Sequence, residues 1–243
     1  MKNRKQLPEF GYIDNLHVDV GALVHYCQEK GLFDHTQYND IKASANTPMR
    51  DLTVANHVHK NTFFKEEEAD SLEGEKYRQL YVTEIDSTKR VASVDVKPTT
   101  MLSRLKRIDP QSSSYLPEAD ERNYGIRNSL AAGEVAKVLD IFSSPLARVR
   151  FAYLAPNFKI LPHVDYDPSY ISRYHIPLLT NTQCLVGVER KGIARTVHFP
   201  ADGRVYFLNT GLKHWVENNS DEARIHLIVD VHRQDELEHL VPL

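Results

Sequence analysis

From residue 148 to residue 231 the chain is a succession of short stretches rich in β-branched and aromatic residues, interrupted by a turn about every ten residues. The stretches are 148–154, 174–179, 184–189, 194–199, 205–208, 214–217 and 225–231. Between them stand turn-forming pieces: Pro156-Asn157, Asp167-Pro168-Ser169, Asn181-Thr182, Lys191-Gly192, Asp202-Gly203 and Asn218-Asn219-Ser220-Asp221. Within the first stretch Val149, Phe151 and Tyr153 alternate onto one face. Strands this short and evenly spaced predict a sandwich or barrel. Upstream the texture changes. Residues 13–33 suggest one amphipathic helix with Gly31 as its stop, and 77–85 a strand leading into the core. A second helix is expected over 129–142, with Leu130, Val135, Val138, Leu139 and Phe142 on one stripe. The expected fold is mainly β with flanking helices packed on a double-sheet jelly roll. One compact unit, 1–243, is expected: an α+β elaboration over 1–145 and a β core over 146–232.

Bulk properties narrow the function. With 41% hydrophobic and 26% charged residues the composition is that of an ordinary globular protein. A net charge of −3 gives no electrostatic case for nucleic acid or an anionic membrane. Two cysteines, Cys27 and Cys184, are too few for a disulfide framework or a thiolate zinc site. The basic N-terminus has no apolar run behind it, and no stretch nears the roughly 20 apolar residues of a membrane helix. The expectation is therefore a cytoplasmic protein with a small-molecule substrate. The pair His57 and His59 has no carboxylate or cysteine at ligand spacing and reads as loop histidines; Glu66-Glu67-Glu68 reads as a solvated helix face.

One constellation in the β-rich half carries chemistry. His163 and Asp165 are two residues apart, so in extended backbone both side chains leave one face. His214 follows downstream and Arg224 ten residues after it. Two imidazoles and one carboxylate on one face of a metal leave the opposite face open, the arrangement of non-haem Fe(II) oxygenases. An arginine beyond the second histidine can then hold the far carboxylate of a 2-oxoacid by a bidentate pair. The same string, His17-Val18-Asp19, occurs earlier, but Asp19 precedes the apolar-rich run from Val20 and reads as a helix N-cap. Arg173 and His175 alternate on one strand face; turned inward they need an anionic partner, either a dicarboxylate co-substrate or a local acid such as Asp230. The polar segment 109–127 reads as a binding loop or a solvated surface loop. As a binding loop it offers Arg122 and Arg127 beside Glu118, Asp120 and Glu121, with Tyr124 to close over an apolar side chain.

Taken together, His163-Val-Asp165, Arg173-Tyr-His175, the segment 203–209 (Gly-Arg-Val-Tyr-Phe-Leu-Asn), His214-Trp-Val-Glu-Asn218 and the segment 224–230 resemble the aspartyl/asparaginyl β-hydroxylase family. The resemblance spans about 148–231 and implies a double-stranded β-helix, cupin-like core. It also implies Fe(II), 2-oxoglutarate and O2, with succinate and CO2 as co-products. His163, Asp165 and His214 would be the iron ligands, Arg224 the main partner of the distal carboxylate of 2-oxoglutarate, and Arg173 and His175 its assistants. The animal enzymes that name the family lack the acidic ligand. Asp165 makes this chain more similar to bacterial members resembling proline cis-4-hydroxylases, which implies hydroxylation of a free amino acid or a small derivative. The alternatives are hydroxylation of Asp or Asn residues in a peptide or protein, and a non-catalytic cupin-type binder of a metal or small acid.

Overall fold

In the computed structural model, which describes residues 1–40, 76–86, 108–113, 115, 117 and 120–243, the alternating half becomes two facing antiparallel sheets. Its strands are β6 (Leu146–Leu154), β7 (Phe158–His163), β8 (Ser172–Leu179), β9 (Cys184–Arg190), β10 (Ile193–Val197), β11 (Arg204–Leu208), β12 (Lys213–Asn218) and β13 (Arg224–Val231). Apart from the hairpin β9–β10, successive strands cross between the sheets. One sheet contains the run β11-β8-β13-β6, and the other is β10-β9-β12-β7. This is a double-stranded β-helix, the jelly roll expected from the spacing of the turns.

The first half of the chain supplies β1 (Phe10–His17), β2 (Asn39–Asp40), β3 (Tyr77–Tyr81), β4 (Thr83–Glu84) and β5 (Ile126–Arg127). Of these, β1, β2 and β3 extend the first sheet. Its full order is β14-β1-β11-β8-β13-β6-β3-β2, where β14 is Leu240–Pro242. The helix expected over 13–33 is corrected here. Phe10–His17 is a strand paired with β11 and β14, and α1 covers only Val20–Glu29. Asp19 starts α1 as expected, its carboxylate accepting from the Ala22 N–H at 2.9 Å. Gly31, at φ 66°, ends it. The reason for the error is that Phe10 and Ile13 are buried on opposite faces of a strand, a period a helical reading of the apolar residues absorbs. The second helix, α2, is Gly133–Asp140, shorter than 129–142 but with Val135, Val138 and Leu139 buried as the stripe requires.

Alternation along each strand of the large sheet decides where the core lies. Val149, Phe151, Tyr174, Ile176, Leu227 and Val229 point outward, onto Leu23 and Cys27 of α1 and Val135 and Leu139 of α2. Each such side chain contributes about 1.5–3 kcal/mol on full burial. The alternate residues point between the sheets. At one end these are apolar, Phe10, Val186, Val188, Phe199, Tyr206 and Leu208. Elsewhere they are polar, and there the functional side chains collect.

Two further features fix the mouth of the barrel. The segment before β1 is tied down by Asn209, fully buried, whose side-chain N–H groups donate to the carbonyls of Arg4 at 3.0 Å and Pro8 at 3.0 Å. Gly187 of β9 lies opposite Trp215 of β12, and a Cβ there would stand 2.0 Å from the indole Cε2. Gly187→Ala is expected to displace the indole beside His214 and destabilise the fold by about 1–3 kcal/mol, read as a lowered Tm in thermal denaturation. His57, His59, Glu66, Glu67, Glu68 and Glu118 lie outside the described residues.

Candidate functional site

His163 ends β7 and His214 opens β12, and the two are direct cross-strand partners. Their ring centroids are 4.1 Å apart. Asp165 lies just beyond β7, held by its own N–H to the Thr210 carbonyl at 3.0 Å. The donor atoms of His163, Asp165 and His214 all lie within 4.8 Å of one another, with His214 Nε2 3.9 Å from Asp165 Oδ2. Each imidazole is oriented from behind. His163 Nδ1 meets the Leu161 carbonyl at 2.8 Å, and His214 Nδ1 meets the Leu212 carbonyl at 3.0 Å. A carbonyl accepts only, so the proton sits on Nδ1 and the Nε2 lone pair is left for a cation. Burial lowers the pKa of His163, and burial, with the neighbouring His163 imidazole disfavouring a second proton, takes His214 down to about 3. Two neutral imidazoles and a carboxylate can hold a divalent metal.

Behind the three donors runs a chain of buried ions. Arg173 Nη1 donates to Asp165 Oδ2 at 2.5 Å, and Arg173 Nε to Asp230 Oδ1 at 2.8 Å. Asp230 Oδ2 accepts from Arg150 Nη1 at 2.8 Å and lies 3.7 Å from Arg148 Nε. Arg148 Nη1 is in turn 3.5 Å from Glu121 Oε1. Burial opposes the Arg173 charge, but Asp230 and Asp165 outweigh it and raise its pKa well above the ordinary value. For Asp230 the three arginines overcome burial and hold its carboxyl well below the usual range. Of the two partners open to Arg173 from sequence, the local acid is the one found. The guanidinium is taken up by Asp230 and Asp165, so it positions a metal donor instead of facing an open subsite.

Arg224 is different. It is 2% exposed, and it pairs with no carboxylate among the described residues; Nη2 donates to His226 Nδ1 at 2.9 Å. Burial pushes its pKa down to about 10. The remaining nitrogen of His226, Nε2, and both ring nitrogens of His175 are buried with no hydrogen-bond partner among the described residues. An arginine cannot readily shed its charge, and unsatisfied buried donors are costly. This end of the interior is therefore complementary to an anion with several acceptor oxygens.

The loop residues fall elsewhere than expected. Arg122 forms a bidentate pair with Asp120, 2.8 Å at both contacts, donates to the Ile108 carbonyl at 2.8 Å and lies over the Tyr170 ring. Tyr124 is packed against Ile85 and Tyr81. The side chain this loop turns inward is Glu121. Glu121 was named from sequence only as one of three acids of the loop, and Arg148, Arg150 and His226 were not singled out. The signal was there for three of them: the alternation that puts Val149, Phe151 and Leu227 on the outer face puts 148, 150 and 226 on the inner one.

The neutral buried histidines also set a pH dependence. His163, His175, His214 and His226 all have pKa values lowered chiefly by burial. Unfolded, they take up protons below about pH 6.5, and each then removes about 1.4 kcal/mol of stability per pH unit. Asp230, depressed when folded, adds a second loss below about pH 4. The metal-free protein is expected to lose Tm steeply from pH 7 to pH 5; a flat Tm across that range would mean these histidines are not buried neutral.

Among the described residues no helix is long and apolar enough to cross a membrane. No curated protein matches the chain by sequence. Several solved structures are similar in shape. A prolyl-4-hydroxylase from Pseudomonas putida shares 12% identity, covers 93% of each chain and has a TM-score of 0.44. An oxidoreductase of the 2OG-Fe(II) oxygenase family from Burkholderia pseudomallei shares 15% identity over 64% of this chain and 66% of its own, at a TM-score of 0.36. A cupin domain from Bordetella pertussis shares 16% identity over 38% of this chain and 88% of its own, at 0.29. The sequence model described as Aspartyl/Asparaginyl beta-hydroxylase matches residues 122–234, the stretch that contains every donor of the candidate metal centre and the arginine beyond it. Over those residues, a little under half of its length, the chain is similar to the aspartyl/asparaginyl β-hydroxylase family.

Proposed function

We propose that this protein, similar over residues 122–234 to a hydroxylase family, is an Fe(II)- and 2-oxoglutarate-dependent dioxygenase acting on an unactivated C–H of a free amino acid or small amino-acid derivative. The observation that carries the reading is Arg224, a buried guanidinium with no carboxylate partner among the described residues, grouped with nitrogens of His226 and His175 that have no hydrogen-bond partner among them either. A 2-oxoacid with a second carboxylate supplies the missing acceptor. Bound together, ferrous iron and 2-oxoglutarate supply O2 activation and the oxidation of the C–H bond, with succinate and CO2 as co-products.

The chain's own part is positional. His163 and His214 present Nε2 and Asp165 presents Oδ2 on one side, which leaves the other side for co-substrate and O2. Arg173 fixes the Asp165 carboxylate, and Asp230 fixes Arg173. Arg224, His226 and His175 hold the distal carboxylate and so set the orientation of the 2-oxo end. The apolar end of the interior, built on Phe10, Val186, Val188 and Phe199, excludes water from it. A reducing compartment such as the cytoplasm suits both ferrous iron and the two free, buried thiols Cys27 and Cys184.

The test is spectroscopic. Addition of Fe(II) and then 2-oxoglutarate under anaerobic conditions is expected to raise a weak visible charge-transfer band. Iron binding without that band would move the protein to a non-catalytic cupin-type binder.

A further inference from the structure

His163 and His214 are fixed by strand pairing, but Asp165 lies beyond the end of β7, so its place beside the two imidazoles is set by loop contacts. Two loops meet there. The segment 164–171 carries Asp165, and the turn 209–212 leads into His214. They touch directly where the Asp165 N–H donates to the Thr210 carbonyl and where the Thr210 hydroxyl donates to the Tyr166 carbonyl at 3.4 Å. A third segment, residues 2–8, runs across both.

Arg4 is the point of contact. Its N–H is shared between the two carboxylate oxygens of Asp167, 3.3 Å from each, and its Nη1 donates to the Gly211 carbonyl at 3.0 Å. Asp167 stands two residues after Asp165, and Gly211 three before His214. The Arg4 carbonyl in turn accepts from Asn209 Nδ2 at 3.0 Å and from Arg190 Nη2 at 3.2 Å. Lys2 adds a second tie: Gln234 Nε2 donates to its carbonyl at 2.7 Å and to the Pro168 carbonyl at 3.0 Å. The ion pair of Arg4 with Asp167, at 3.9 Å and partly exposed on both sides, adds little in water; hydrogen bonds and packing hold the segment. The fit is tightest at Gly211. A Cβ there would stand 2.9 Å from Pro168 Cδ, 3.0 Å from Arg4 Cβ and 3.1 Å from Asp167 Cα, so the three segments converge on a residue without a side chain.

We infer that Arg4 is a positioning residue for the metal centre: the segment 2–8 clamps the loop of Asp165 against the turn before His214 and so holds the acidic donor in place beside the two imidazoles. The inference rests on the metal centre proposed above. Arg173 turns the Asp165 carboxylate from the inside, and Arg4 sets the backbone that carries it from the outside. Such a clamp tightens metal binding because the donors need not be gathered when the ion arrives.

Co(II), an air-stable and coloured stand-in for Fe(II), is titrated into wild type, Arg4→Ala, Arg4→Lys and Gly211→Ala. Calorimetry reads the affinity, visible absorption the donor set, and the Tm of the metal-free protein its folding. Arg4→Ala removes the bond to the Gly211 carbonyl, and the affinity is expected to fall about ten-fold, the lower end of what loss of an orienting partner costs. The visible band of the bound ion should change with it, since Asp165 is no longer held in place. Arg4→Lys, which still offers a donor to the Gly211 carbonyl, should keep most of the affinity. Gly211→Ala should lose at least as much as Arg4→Ala, because its methyl group parts the loops from the segment and from each other. Folded variants that bind Co(II) as wild type does, with the same spectrum, overturn the inference and leave the metal centre standing. So does an equal loss in Arg4→Lys and Arg4→Ala. Where Gly211→Ala fails to fold, the two Arg4 variants decide, since that side chain lies at the surface. A wild type that binds no Co(II) removes the metal centre and the inference together.

Discussion

His163→Ala and His214→Ala are each expected to abolish Fe(II) binding and succinate formation, while His17→Ala leaves both intact. The three histidines are matched in sequence context only superficially. His163 and His214 are cross-strand partners with Nδ1 satisfied by a carbonyl and Nε2 beside Asp165. His17 ends β1 on the exposed side, and its Asp19 spends its carboxylate on the first turn of α1. Loss of a residue that merely orients a metal ligand costs about 10–100-fold in affinity, so removal of a ligand itself should exceed that. Isothermal titration with Fe(II) under anaerobic conditions, alongside a succinate assay, reads both effects. Equal loss in His17→Ala would mean the metal sits elsewhere.

The second large effect is at Arg224. Arg224→Ala should raise the 2-oxoglutarate requirement by about ten- to hundred-fold, the equivalent of a charge-assisted pair worth about 1.5–3 kcal/mol, and should spare iron affinity. A 2-oxoacid without the distal carboxylate should lose most of its disadvantage in that variant. The structure adds a second arm. Since Arg224 is buried and, among the described residues, only His226 accepts from it, Arg224→Met removes a charge without a carboxylate there at similar length and is expected to raise the Tm of the protein in the absence of iron and co-substrate. A variant more stable yet unable to use 2-oxoglutarate would identify Arg224 as held for its ligand. Unchanged 2-oxoglutarate use would remove the assignment.

What could be read from the sequence follows from which periods are local. The turns between 156 and 221 are local chemistry, and they marked the jelly roll before any contact was known. His163, Asp165 and His214 could be singled out because a metal restricts donor types and β structure restricts their spacing. Arg173 was ambiguous for a physical reason. A buried arginine demands an anion but does not say which, and Asp230, its neighbour in register on β13, is fifty-seven positions away in the chain. Glu121 was one of several charges in a polar loop, and only the Asp120–Tyr170–Tyr115 cluster, a tertiary object, shows which one turns inward. The β1 strand was hidden because its place in the sheet, between β11 and β14, depends on segments far downstream in the sequence.

That position of β1 has a consequence for how the molecule is assembled. Strand β1 is hydrogen-bonded on one side to β11 and on the other to β14, both far downstream of it. The segment before it is fastened by Asn209, which stands between Tyr206 of the interior and the loop that leads to His214. Nascent β1 thus lacks these partners until β11 and β14 have been made, and pairings of such long sequence separation are slow to close. The candidate metal donors on the β7–β12 pair are therefore expected to become ordered late, after β1 docks.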